Sequence, residues 1–235
     1  MMNHHPRRHL TFGIALLAIA GTLGISMLPG CSVFGLMGAM GQAHEDQKLI
    51  EVDAKYKGLE DQIVAVIVNA DLGVRYQYPD VSTTILTAVS ARLRRSHQKT
   101  VVIDPRFVLQ WQHQTPNWES LSYGEMAEGL GAKRLIYIDI YEYRLNPPGN
   151  RYLWDGMCAA TVGIVEDDGL DVDYFYETFD VQTKFPDQEG VDRSQASAQQ
   201  IQTGLYADFI KRVHWLFVKH EEPKYPNRYR PELDR

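Results

Sequence analysis

Ile63-Val64-Ala65-Val66-Ile67-Val68 is an unbroken apolar run, all β-branched except for Ala65. Continuous rather than alternating apolarity marks a strand covered on both faces. Helices on each side of a sheet provide that cover, so this run points to an α/β fold.

Downstream the chain keeps that grammar. Asn69–Asp80 reads as a loop. Ser82 then caps a helix to about Ser96, with Ile85, Leu86, Val89 and Leu93 on one face. Thr100–Asp104 is a second short strand, and Asp104-Pro105 starts a helix as a cap followed by a first-turn proline. Ser122-Tyr123-Gly124-Glu125 is a capping box that opens a short helix ending at Gly129–Gly131. Arg134–Leu145 is a third strand, with Ile136, Ile138 and Ile140 on one face and Tyr137, Asp139, Tyr141 and Tyr143 on the other.

Beyond a turn at Asn146–Asn150 the pattern changes. Trp154–Glu166 is a long strand, Asp167-Asp168-Gly169 is a hairpin signal, and Leu170–Lys184 is the returning partner. Pro186–Arg193 is a loop, and Ser194 begins a last helix reaching about His220. The early crossovers imply parallel strands, and the hairpin extends the sheet antiparallel. The expected fold is therefore a mixed sheet, parallel early and antiparallel late, with helices packed on its faces.

Upstream, Arg7 and Arg8 precede an apolar stretch, Leu10–Leu28, and Leu28-Pro29-Gly30-Cys31 closes it as a bacterial lipobox. Residues 1–30 are then a lipoprotein signal peptide, and Cys31 becomes the lipidated first residue. An uncleaved membrane anchor is the alternative. Ser32 follows the cysteine, which favours the outer membrane, periplasmic face, over the inner membrane. Residues 31–57 read as the lipidated amino terminus and tether, with Lys48–Gln62 extended. Residues 58–220 form one α/β domain, and 221–235 a disordered tail.

Lys and Arg number 24 against 30 Asp and Glu, a formal net charge of −6. Loss of Arg7 and Arg8 with the signal makes the mature chain more acidic still. Such a chain repels phosphate backbones, and no basic stripe is present, so nucleic acid is excluded as a partner. Membrane attachment falls to the acyl chains. With Cys31 modified, only Cys158 remains. No internal disulfide can form, and a globular part of about 160 residues must rest on a core burying roughly 70% of its unfolded surface.

The Val64–Val68 strand, the Ser82–Ser96 helix, Val101–Asp104, Leu130-Gly131-Ala132 leading into Leu135–Ile138, and the hairpin from Val162 to Gly169 carry a family resemblance. Over roughly residues 60–220 the chain resembles the amino-terminal domain of TolB and its relatives, the curli-secretion-channel lipoprotein family among them. The resemblance implies a domain that binds partners or assembles. It transfers no functional residue, and no propeller repeat like that attached in TolB is present.

Motifs for chemistry are sparse. His44, His97, His113, His214 and His220 lack metal-ligand spacing, and Asp167, Asp168, Asp171 and Asp173 lack that of a calcium loop. No Gly-x-Ser-x-Gly and no phosphate-loop fingerprint occurs. Cys158 sits in an apolar strand as a small core residue. No catalytic residue, metal or cofactor is therefore assigned. Candidates for partner binding are Arg75, Tyr76 and Tyr78, in the segment after the first strand where ligands of open sheets gather. The tyrosines could instead cover the next helix. Trp215 is a further candidate. It lies on the flank of the last helix beside Asp208, Lys211 and Arg212, outside the stripe of Ile201, Leu205, Phe209, Val213 and Leu216. Burial under the tail is the alternative for Trp215.

The expected function is a non-catalytic, lipid-anchored envelope protein that binds a partner or aids assembly. The alternatives are a ring-forming subunit of an export or transport complex and an envelope hydrolase with an unrecognised site.

Overall fold

Every side chain from Val64 to Val68 is buried in the structure, a computed structural model that describes residues 47–169 and 171–226. The signal peptide, Cys31, most of the tether and residues 227–235 lie outside the described residues. In chain order the elements are β1 (Leu49–Val52), β2 (Ile63–Ala70), α1 (Leu72–Gln77), α2 (Val81–Ser96), β3 (Val101–Val102), α3 (Pro105–Gln114), a 3-10 turn (Trp118–Ser120), α4 (Tyr123–Leu130), β4 (Arg134–Arg144), β5 (Gly156–Glu166), β6 (Glu177–Phe185), α5 (Ala198–Trp215) and β7 (His220–Pro223).

The main sheet has the order β3-β2-β4-β5-β6. β3 and β4 run parallel to β2, while β5 and β6 return antiparallel. This is the mixed α/β sheet that the sequence implies. β1 and β7 pair with each other in a separate two-stranded sheet. Glu51–His220 is one compact unit; the described residues 47–50 and 221–226 belong to another.

Helices α2 and α5 pack on each other and on β2, β5 and β6. Their buried stripes are Ile85, Leu86, Val89 and Leu93 on α2 and Ile201, Leu205, Phe209 and Val213 on α5. α4 and the loop after β5 cover the opposite face, where Tyr123 and Phe175 meet Tyr137. Local chemistry fixes several helix ends. Asp104 accepts from the Arg106 amide at 2.9 Å, with Pro105 in the first turn. Both hydrogen bonds of the Ser122–Glu125 capping box are made, and Gly131 ends α4 at φ 67°.

The structure differs from the sequence reading in several elements. The expected loop Asn69–Asp80 contains α1, whose amino end is closed by Asp71 accepting from the Gly73 amide at 2.8 Å. α2 begins at Val81, so Ser82 sits in its first turn rather than capping it. β5 begins at Gly156, not Trp154, and β6 at Glu177, not Leu170. The Asp167–Gly169 turn therefore leads into a longer connection, not a tight hairpin. α5 begins after Ser197, which makes its own capping box with Gln200, rather than at Ser194. It stops at Trp215, and the expected tail begins as strand β7.

The largest correction lies in β4. Its register against β5 shifts between Ile140 and Glu142, leaving Tyr141 as a bulge. One extra residue reverses every later side chain. Tyr143 is thereby opposite Cys158, on the isoleucine face, and stacks on Tyr206 of α5 with ring centroids 5.6 Å apart. Tyr137, Tyr141 and Tyr143 do not share a face.

Candidate functional site

β2 lies between its two parallel neighbours. The chain leaves it toward β3 on one side and returns to β4 on the other. The carboxyl ends of β2 and β4 thus mark a topological switch, where open sheets form ligand crevices. Asn69 and Asp139 stand side by side there, with the Asn69 amide donating to Asp139 Oδ1 at 3.1 Å. Asn69 Oδ1 and Arg75 Nε are buried and make no hydrogen bond among the described residues. Burial, with Asp139, Tyr123 and Glu119 nearby, pushes the Tyr137 phenol up. Burial and Asp139 do the same to Tyr123.

α1 projects from this end. Arg75 is clamped by the carboxylate of Glu119, its second arm 3.4 Å from Oε2. That bond ties the helix to the 3-10 turn. Leu72 and Tyr76, four residues apart and so on one helix face, are 74% and 91% exposed. Tyr78 behaves differently. It turns inward and packs edge-on against Tyr143, with centroids 4.7 Å apart, and burial raises its phenol. A depression of about 560 Å³ lies beside it, lined by Gln77, Arg144, Asn146 and Tyr152 among others. Arg144 is held there by Asp155 at 2.6 Å and Glu142 at 2.9 Å.

Trp215, the candidate on the last helix, is half-buried. The His220 ring stacks on it at 4.4 Å with an 8° interplanar angle, and Lys211 Nζ lies 5.1 Å from its centroid. The cover thus comes from the first residue of β7. Of the four candidates, the structure gathers Arg75, Tyr76 and Tyr78 at the β2 end and places Trp215 on a different helix. Asn69, Glu119 and Tyr123 were not singled out from sequence. Asn69, the polar residue that ends the β-branched run, was the available signal.

Elsewhere several charges are paired. Lys133 meets Asp167 and Arg134 meets Asp168, each at 2.5 Å. Arg134, almost fully buried, also lies 3.5 Å from Glu166, which accepts from Tyr56 Oη at 2.6 Å. Cys158 is fully buried, and burial pushes its thiol up, away from the reactive thiolate. Among the described residues no group of three His, Cys, Asp or Glu could hold a metal, and no helix is long and apolar enough to cross a membrane.

The sequence matches no protein-family model and no curated protein. Among solved structures it is similar to the PelC dodecamer from Paraburkholderia phytofirmans, at 13% identity and TM-score 0.40 over 74% of this chain and 99% of that one. Lipoprotein GNA1162 from Neisseria meningitidis gives 11% identity and TM-score 0.41 over 64% and 96%. The hypothetical protein CT253 from Chlamydia trachomatis gives 15% and 0.39 over 68% and 96%. Likeness at this level carries no inference about this chain's assembly or role.

Proposed function

We propose that the protein is a non-catalytic, lipid-anchored module of the bacterial envelope that faces the periplasm and binds a protein partner. The observation that carries the binding half is the exposed Leu72–Tyr76 pair on α1, braced by Arg75–Glu119. A large aromatic and a leucine held rigidly in water are costly to solubility and suit the centre of an interface. The Leu28–Cys31 lipobox supports the anchor, and Ser32 the outer membrane. The partner-binding or assembly role implied by the TolB and curli-secretion-channel resemblance is in keeping with this reading. The expected tether of 31–57 is shortened at its far end, because the compact unit begins at Glu51 and Tyr56 is buried in the core. The residues between Cys31 and Glu51 serve as tether, and retention near the membrane raises effective concentration for the partner.

The test is a photo-crosslinking residue at position 76 in cells. Capture of one discrete protein, lost in Leu72→Ser, supports the reading. No adduct from Tyr76 would sink it. Separately, cells fed a labelled fatty acid should attach it to the wild type and not to Cys31→Ala; an unlabelled wild type would remove the anchor. A second reading, a ring-forming export subunit, is favoured by β6. That nine-residue strand pairs only with β5 and leaves its outer edge open among the described residues. Light scattering separates the two, since a monomer excludes the ring.

A further inference from the structure

We infer that Ser96, His97 and His214 form an acid-sensitive latch that holds the turn after α5 against α2 and, through that turn, the segment entering the domain at Tyr56. The latch goes beyond the proposed function and does not depend on it. Ser96 Oγ lies 2.9 Å from His97 Nδ1 and 2.9 Å from His214 Nε2, so one hydroxyl bridges the carboxyl ends of two helices. His97 Nε2 lies 3.1 Å from the Phe217 carbonyl, which can only accept. That puts a proton on His97 Nε2, and the Ser96 hydroxyl also lies 3.1 Å from the Arg92 carbonyl and 3.2 Å from the Leu93 carbonyl, either of which can take its proton. His214 Nε2–H then donates to Ser96 Oγ. These polar contacts run from α5 through α2 to the turn. One residue earlier, the Leu216 carbonyl accepts the Tyr56 amide at 2.9 Å.

The surroundings of His214 punish a charge on its ring. It is half-buried. Arg92 and Arg95 face it from α2, His97 from the end of α2, and His220 from β7. Lys211 lies one turn back on its own helix, and Glu60 shares a surface hollow with Ser96 and His97. The carboxyl end of α5 would by itself favour a cation. Burial and the arginines outweigh that, and hold the His214 pKa down at about 4. A histidine in the opened turn regains a pKa near 6.5. Opening is therefore accompanied by proton uptake throughout the interval between those values, and acid favours the open turn.

The Tyr56 amide reports this directly, because its hydrogen bond is to the turn. We expect its exchange protection, corrected for intrinsic rates and compared with the Val66 amide in β2, to fall by up to about tenfold per pH unit from 6.5 toward 4. The His214 ring should titrate near 4 in the same samples. In His214→Gln the pH slope should vanish. If that variant does not fold, Ser96→Ala should lower Tyr56 protection at neutral pH while Val66 stays protected. Flat Tyr56 protection in the wild type, a His214 midpoint at 6.5 or above, or equal loss at Val66 would overturn the latch.

Discussion

Tyr56 shows how a single side chain fastens an otherwise irregular segment. Its ring makes edge contacts with Phe217 and Tyr176, each at 6.2 Å, and its hydroxyl donates to Glu166. Burial and that carboxylate raise the phenol, so Tyr56 remains a donor at any physiological pH. Glu166 also faces Arg134, so removing the hydroxyl does not strand the carboxylate. Tyr56→Phe should therefore cost only about 1–2 kcal/mol in urea unfolding. Arg134→Ala leaves Glu166 without its cation in a largely buried place and should cost about 3–5 kcal/mol. An equal effect of the two would mean that the network is not organised around Arg134. None of this was visible in the sequence: Tyr56 and Glu166 are 110 residues apart, and nothing local announces the pairing.

At the scale of elements, legibility followed the range of the forces involved. The Ser122–Glu125 box and the Asp104-Pro105 start act within one turn, and the sequence names both. β2 was legible because its apolar run is continuous. The bulge at Tyr141 was not, because it is set by pairing with β5, and it moved Tyr143 to the other face. The connection after β5 was misread for a similar reason. Asp167-Asp168-Gly169 is turn chemistry, yet Phe175 must reach back over Gly163, and that delays β6 to Glu177. A Cβ at Gly163 would run into the Phe175 ring. Gly163→Ala should accordingly destabilise by about 1–3 kcal/mol, and Phe175→Ala in the same chain should recover part of the loss. Additive losses would show that the two do not touch. The candidate site divides in the same way. Arg75 and Tyr76 follow from their position after β2. The Glu119 brace and the inward turn of Tyr78 depend on tertiary packing and had no local mark.

For the whole molecule, acid should act in two separated stages. Asp168 and Asp192 have pKa values lowered below 3.8, Asp168 chiefly by Arg134 and Asp192 by Ser194. Their contributions are intact above 3.8 and fade only as pH falls below it. His214 works in a different window. Its folded pKa of about 4 lies below the 6.5 of the unfolded chain, so between those values the unfolded state holds more protons. Its contribution is complete above 6.5 and lost as pH falls to 4. The slope is bounded by about 1.4 kcal/mol per pH unit and is smaller in practice, since half the ring is open to solvent screening. Urea midpoints should thus decline between pH 6.5 and 4, before the contributions of Asp168 and Asp192 fade, and decline again below that. His214→Gln should flatten the first stage and leave the second. A single transition confined below pH 4 in the wild type would show that His214 is not held neutral by its surroundings.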